Sequence, residues 1–431
     1  MSTQKISLFT ATMLNINVII GAGILLNPPI MAGLAGNISF LGWPLCGLIF
    51  FPLVWCVAEA SKLFSGDAGF YTFGKKGLGN TAGFISGWAH FLAYLAVPAA
   101  HLFGLRALLV TQFNIDFVAT HPLMFNALYV LFLGLMNLLS LKLVSTIQNI
   151  STIVKLIPLV SVIMMFVFYL NPNFSINIAN LPLLTATLPI AVFAFLGFES
   201  CCNISHLIEG GQKNASRALF YGFFATLTLY TVFHFGLLQI MGADNLAKFG
   251  GAAFVQFLGI NNVALIAALK GIVSTAFIIT FLSASYGIFI GNSSLLRGMA
   301  AEKILFGSKL LTKTNGNDRP IMAIAFQALG TFGLSVLITG MNALCSLVVI
   351  CVLTAFIVTI FALIKSKAQT LLRRIFSLLG LVSCGILIFY SWQGLGNTNA
   401  LRISNLTPTI ILMTLGLIMY VVQQKSGRKA K

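Results

Sequence analysis

Polar and apolar positions alternate along this chain on one long scale. Apolar stretches of about 20 residues or more are cut by short clusters of Gly, Pro, Asn, Asp and Lys. Cutting at those clusters predicts twelve spans, at 6–34, 39–63, 80–111, 122–141, 143–170, 183–208, 216–242, 262–293, 320–339, 342–364, 373–392 and 403–423. Each suits a helix crossing a hydrocarbon core. The expected fold class is therefore an all-α membrane protein with twelve transmembrane helices. The first run, beginning near Ile6, is longer than a signal-peptide core, and no small-residue cleavage site follows it. It reads as the first membrane helix.

Two spans carry breaks. In "VIIGAGILLNPPIMAG" (18–33), Gly21 and Gly23 stand one residue apart and so point to different faces. That spacing suits an unwound point better than a packing stripe, and backbone groups freed in hydrocarbon need a cavity or a partner. Asn27-Pro28-Pro29 follows, with two residues that lack an amide proton, and is expected to add to the interruption. In "FAFLGFESCCN" (193–203), Gly197 interrupts the sixth span and the ionisable Glu199 follows it. Breaks in spans one and six are the pair expected of two inverted five-helix repeats, with a substrate held between them near the bilayer midplane. The helix beginning after Gly23 would present free amides and a positive dipole end to a carboxylate.

Composition agrees with this pattern. Of 431 residues, 58% are hydrophobic and only 8% charged, with mean hydropathy +0.98. The net charge of +17 raises the question of nucleic acid, but the positions of the charges answer it. With the N-terminus in the cytoplasm, 20 of the 25 lysines and arginines fall on the inner side, among them Lys5, Lys62, Lys75, Lys76, Lys213, Arg217, Arg297, Arg373 and Arg374. Only Lys248, Arg402 and Arg106 fall towards the outer one. This is the positive-inside asymmetry, with both termini cytoplasmic, and it requires no nucleic-acid partner. The seven cysteines lie in or beside apolar runs, with no disulfide framework and no metal-ligand spacing. Sequons such as Asn149-Ile150-Ser151 fall in or against the membrane and imply no glycosylation. No HExxH or paired aspartates mark an intramembrane enzyme, and no cofactor is expected. Two inner segments, 65–80 and 296–320, read as packing or gating pieces, the first with a short amphipathic helix.

The buried ionisable residues differ in promise. Lys155 lies about a dozen residues into span five, roughly 18 Å along a helix, too deep to reach the surface easily. Lys270 is close enough to the outer end of span eight to snorkel. Glu59 sits where it can pair with a basic loop residue. His90 and His234 are expected to pack, and His206 to be solvated.

Four motifs in order, "NVIIGAGILLNPPIMAG", "GDAGFYTFGKKGLGNTAGFISGWAHFLAY" (66–94), "STIVKLIPL" (151–159) and "FAFLGFESCCNISHLIEGGQKNASRAL" (193–219), resemble the amino acid–polyamine–organocation permeases. "SSLLRGMAAEKILF" (293–306) adds to the likeness. The resemblance implies one transporter domain over 1–431, with a LeuT-like five-plus-five inverted repeat (6–170 and 183–364) and two additional helices (373–423). It implies that amides around Gly21, Ala22 and Gly23 meet the substrate carboxylate. Carbonyls near Ile19, Phe193 and Leu196 would meet its ammonium. Ala96, Val97, His101 and Phe289 would line or gate the side-chain pocket. In proton-coupled relatives a lysine in the position of Lys155 replaces a bound sodium ion, and desolvation lets such a lysine release its proton. Ser285 is its expected hydrogen-bond partner, and Glu199 is the second candidate for coupling. Relatives that carry cationic substrates often have Trp where Phe193 stands. Of the eight acids only Glu199 lies near the break, and the implied pocket is otherwise apolar, so a neutral amino acid is expected. The predicted function is proton-coupled amino acid uptake across a bacterial inner membrane, its partners being the amino acid, protons and lipid. Exchange or export on the same fold, and ligand sensing without flux, are the alternatives.

Overall fold

In hydrocarbon each backbone amide must find its partner within its own segment, so long apolar runs become helices. The computed structural model describes residues 5–64, 66, 68–168, 174–338, 341–368, 370–393 and 403–429. Asp67, Arg402 and the ends of expected spans five and nine lie outside the described residues.

In chain order the helices are α1 Leu8–Ile19, α2 Ala22–Ala35, α3 Gly42–Leu63, α4 Gly69–Leu78, α5 Asn80–Phe113, α6 Asp116–Thr120, α7 Pro122–Asn137, α8 Leu141–Phe168 and α9 Leu188–Phe195. There follow α10 Ser200–Asn203, α11 Gly211–Met241, α12 Ala243–Phe249, α13 Val263–Ala301, α14 Ser308–Leu311, α15 Ile321–Leu337, α16 Met341–Lys365, α17 Leu371–Gln393 and α18 Ile403–Lys429. No strand occurs among the described residues. Among them, nine helical stretches are long and apolar enough to cross a membrane. Three shorter apolar helices, Leu8–Ile19, Pro122–Asn137 and Ile321–Leu337, accompany them.

The broken elements sit at the centre. Helix α1 packs on α8, α11 and α13, α2 packs on α9, and α5 runs against α4, α13, α15 and α16. Helices α17 and α18 attach outside, to α3 and α16 and to α16 and α5. Helix α8 shows how one segment serves two solvents. Ile150, Ile153, Ile157, Val160 and Met164 form an exposed stripe at helical spacing, while Gln148, Thr152, Lys155, Leu159 and Val162 are buried. An exposed apolar stripe of that length suits a helix long and apolar enough to cross a membrane.

Three expectations about local structure change. The first break lies at Ile20–Gly21, and Pro28 and Pro29 sit inside α2 without ending it. The Asn27 side chain reaches across to the Ile190 carbonyl at 2.7 Å, tying this part of α2 to α9. The segment 65–80 does form a helix, α4, but Gly69–Gly74 are buried, so it packs into the protein and does not lie on a membrane surface. Helix α13 runs on to Ala301, past the expected end of span eight.

Candidate functional site

The two breaks face each other. Helix α1 ends at Ile19, and α2 restarts at Ala22 with Gly21 at its N-cap and no side chain capping its first amides. Helix α9 ends at Phe195. Leu196 is extended, Gly197 has φ +108°, and α10 begins at Ser200. Gly197 is needed twice over: its backbone is left-handed, and a Cβ there would come within 2.8 Å of Val18 Cγ1. Gly23 is needed for contact alone, since a Cβ would lie 2.4 Å from Ala194 Cβ.

Between the breaks lies a small cavity lined by Val18, Ile19, Gly21, Gly23, Tyr94, Val97, His101, Phe193, Ala194, Leu196 and Ile288. Its volume is about 20 Å³, room for roughly one water molecule. Nothing larger than water enters unless these walls part, so the cavity is closed. A vestibule of about 820 Å³ opens on the face that carries Lys75, Lys76 and Arg297, bordered also by Tyr71, His206, Ser294, Glu302 and Asp318. Lys75–Glu302 (2.6 Å) and Arg297–Asp318 (3.4 Å) ion pairs cross its rim. Ile6 pins the entry to α1 beside it, donating to the Leu207 carbonyl and accepting from Glu209 N–H.

Lys155 is fully buried, and its Nζ donates to the carbonyls of Asn17 (2.9 Å) and Ile20 (2.8 Å). These are carbonyls at the end of α1, exposed because the helix stops there. The ammonium thus occupies the break itself. Ser285 is not its partner, which corrects the expected pairing. Ser285 Oγ instead meets His101 Nδ1 at 2.9 Å and accepts from Tyr129 Oη at 2.6 Å.

Of the other expected site residues, Gly21, Gly23, Val97, His101, Phe193, Leu196 and Ile19 line the cavity, and the Ala22 backbone opens α2. The Ile19 carbonyl is already engaged, accepting from Tyr230 Oη at 2.9 Å and from the Gly21 amide. Ala96 and Phe289 are fully buried but do not reach the cavity wall; Ile288, beside Phe289, does. Glu199 is fully buried at the second break, where Tyr94 Oη donates to its Oε1 at 2.5 Å and His90 Nε2 lies 3.5 Å away. His90 packs as expected. It stacks between Phe70 and Tyr94 and borders the carboxyl. His234 keeps its packing role, with Trp43 Nε1 donating to Nδ1 and Ser39 Oγ 3.3 Å from Nε2. Glu59 pairs with Lys62 and Arg373, joining α3 to α17.

Tyr94, Tyr129 and Tyr230 were not anticipated. Tyr94 had a signal, standing three residues before Val97 and so on the same face of α5. Tyr129 and Tyr230 stand in apolar helices whose inward faces the sequence does not mark.

The amino acid permease family model matches residues 6–420, nearly the whole chain. The chain belongs to the amino acid permease family. This places it in the amino acid–polyamine–organocation superfamily, as an amino acid transporter with multiple apolar helices in a membrane. No curated protein matches the chain. Family membership speaks for transport, which moves a substrate without covalent chemistry, and the permease's two broken helices around one cavity suit that task.

Proposed function

We propose that this permease takes up a neutral amino acid with a proton by alternating access, in a bacterial inner membrane with both termini cytoplasmic. The observation that carries the reading is Lys155 held by the carbonyls of Asn17 and Ile20 at the first break, next to a cavity faced by uncapped α2 amides. A cation that binds at the break and can lose a proton is able to couple protonation to the geometry of the carboxylate site. Coupling of this kind is reciprocal, since the proton and the amino acid each bias the same equilibrium. The reading includes inverted repeats over 6–170 and 183–364, twelve spans in all, with two additional helices over 373–423. What supports it is the placement of the breaks in the first and sixth expected spans, facing each other.

Substrate charge follows from the walls. Val18, Val97, Phe193, Leu196 and Ile288 supply apolar surface, and no acid lines the cavity among the described residues. The nearby Glu199 already accepts from Tyr94. A cationic side chain would be desolvated without a partner of opposite sign, while an apolar one is stabilised by burial at roughly 25 cal/mol per Å². The test is uptake of labelled L-leucine into proteoliposomes under an imposed pH gradient, with competition by the twenty amino acids and agmatine. Strong competition by leucine, methionine or phenylalanine and none by arginine or agmatine is expected. The reverse pattern overturns the substrate assignment. Flux that needs a preloaded amino acid and ignores the pH gradient replaces symport by exchange, and binding without flux replaces transport by sensing.

A further inference from the structure

His101 is 3% exposed, and its two nitrogens face different surroundings. Nδ1 lies 2.9 Å from Ser285 Oγ, which in turn lies 2.6 Å from Tyr129 Oη. The ring's other edge lines the cavity over Gly21, where an added Cβ would stand 3.0 Å from Nε2 and 3.2 Å from Cε1.

Where the leftover proton lies decides which nitrogen carries one. Among the described residues, Tyr129 Oη has Ser285 as its one hydrogen-bond partner, and Ser285 Oγ has only Tyr129 and His101. If Tyr129 donates to Ser285 and Ser285 donates to Nδ1, both hydroxyl protons are bonded. The imidazole then carries its proton on Nε2. If Nδ1 carried the proton and donated to Ser285, one hydroxyl proton would be left buried without an acceptor. Each arrangement leaves one proton over: the first leaves it on Nε2, facing a cavity with room for about one water molecule, and the second leaves it on a hydroxyl sealed between helices. The first arrangement is therefore favoured, and it aims a donor into the cavity.

We propose that the Tyr129–Ser285 relay holds His101 as the Nε2–H tautomer, and that this N–H donates to the substrate carboxylate beside the amides that open α2. The proposal rests on the reading of this cavity as the amino acid site. It makes His101 a substrate-binding residue, with Ser285 and Tyr129 as positioning residues acting through it. Two features favour the carboxylate over the substrate side chain. Nε2 approaches over Gly21, the N-cap of α2, where the uncapped amides already call for an anion. The surfaces that would receive a side chain, Val97, Phe193, Leu196 and Ile288, are apolar.

The test uses the full-length protein in nanodiscs. With ¹⁵N-histidine labelling, the signal assigned to His101 through His101→Gln is expected to show protonated Nε2 and bare Nδ1. Ser285→Ala is expected to turn it into a tautomer mixture. A wild-type signal with protonated Nδ1 overturns the relay. Binding is then measured for the twenty L-amino acids, beginning with L-leucine. A hydrogen bond to a charged group is worth enough that His101→Phe should weaken binding roughly ten- to a hundred-fold. The factor should be similar for every amino acid that binds, because all share the carboxylate. His101→Gln, which offers an amide N–H near the position of Nε2, should recover most of that loss. Ser285→Ala should weaken wild type several-fold and have little further effect in the Gln background. A loss confined to serine, threonine and asparagine overturns the carboxylate contact. Equal affinity in wild type and His101→Phe overturns the role of His101 while leaving the transporter reading intact. Binding by none of the twenty in any variant overturns the transporter reading, and the carboxylate contact with it.

Discussion

Replacing Gly23 by Ala tests how closely the two broken helices are required to meet. The added Cβ would fall 2.4 Å from Ala194 Cβ and 2.7 Å from Ala194 Cα. Carbon atoms sit comfortably at about 3.5–4.0 Å, so α2 and α9 must separate by roughly 1 Å. A Cβ and a Cα cannot swing aside as the tip of a long side chain can, so the helices themselves must move. Overpacking of this kind costs about 1–3 kcal/mol. Gly33→Ala on the same helix is the matched control, because its Cβ would meet Ala247 Cβ at an ordinary 3.5 Å. There the substitution should stabilise by about 0.5–1 kcal/mol, through the lower backbone entropy of the unfolded chain. Thermal unfolding in detergent, with L-leucine binding measured alongside, separates the two. Gly23→Ala should unfold earlier and bind more weakly, and Gly33→Ala should unfold at or above the wild-type temperature with normal binding. If Gly23→Ala matches wild type in both measurements, the close packing of the breaks plays no part in forming the site.

Lys155→Met keeps the side-chain length but strips the Asn17 and Ile20 carbonyls of their donor, at about 1–3 kcal/mol for each buried acceptor left unpaired. It should lower thermal stability and abolish the response of uptake to a pH gradient; an unchanged pH response would move coupling to Glu199. Tyr94→Phe removes the hydroxyl that bonds Glu199 Oε1 and borders the cavity, and should cut kcat/KM about tenfold or more, whereas Glu199→Gln, which retains an acceptor, should cost less. Steady-state uptake kinetics check both, and a milder effect for Tyr94→Phe than for Glu199→Gln contradicts the arrangement. Glu302→Gln breaks the ion pair with Lys75, whose side chains are 32% and 46% exposed, and should change stability by less than about 1 kcal/mol, which chemical denaturation can measure.

Much of this permease was legible in its residues before any contact was known. Apolar run length marks the helices, because hydrocarbon leaves a backbone few other ways to satisfy its amides. Gly21 and Gly197 mark the breaks, since glycine in an otherwise unbroken apolar run relaxes the backbone there. Lys155 marked itself by depth alone. The sequence also suggested that Pro28 and Pro29 would interrupt the first span, yet tertiary packing carries α2 straight through them.

What tertiary structure decided is which polar groups meet. Tyr230 reaches the Ile19 carbonyl from α11, Tyr129 reaches Ser285 from α7, and Tyr94 reaches Glu199 from α5. None of these pairs is close in sequence. A soluble helix announces its buried face by contrast with a polar one. In a bilayer, lipid and protein neighbours are both apolar, and the two faces read alike. Elements are therefore written in the run lengths, while Ser285 turns to His101 and away from Lys155 only once α5, α7, α8 and α13 have packed.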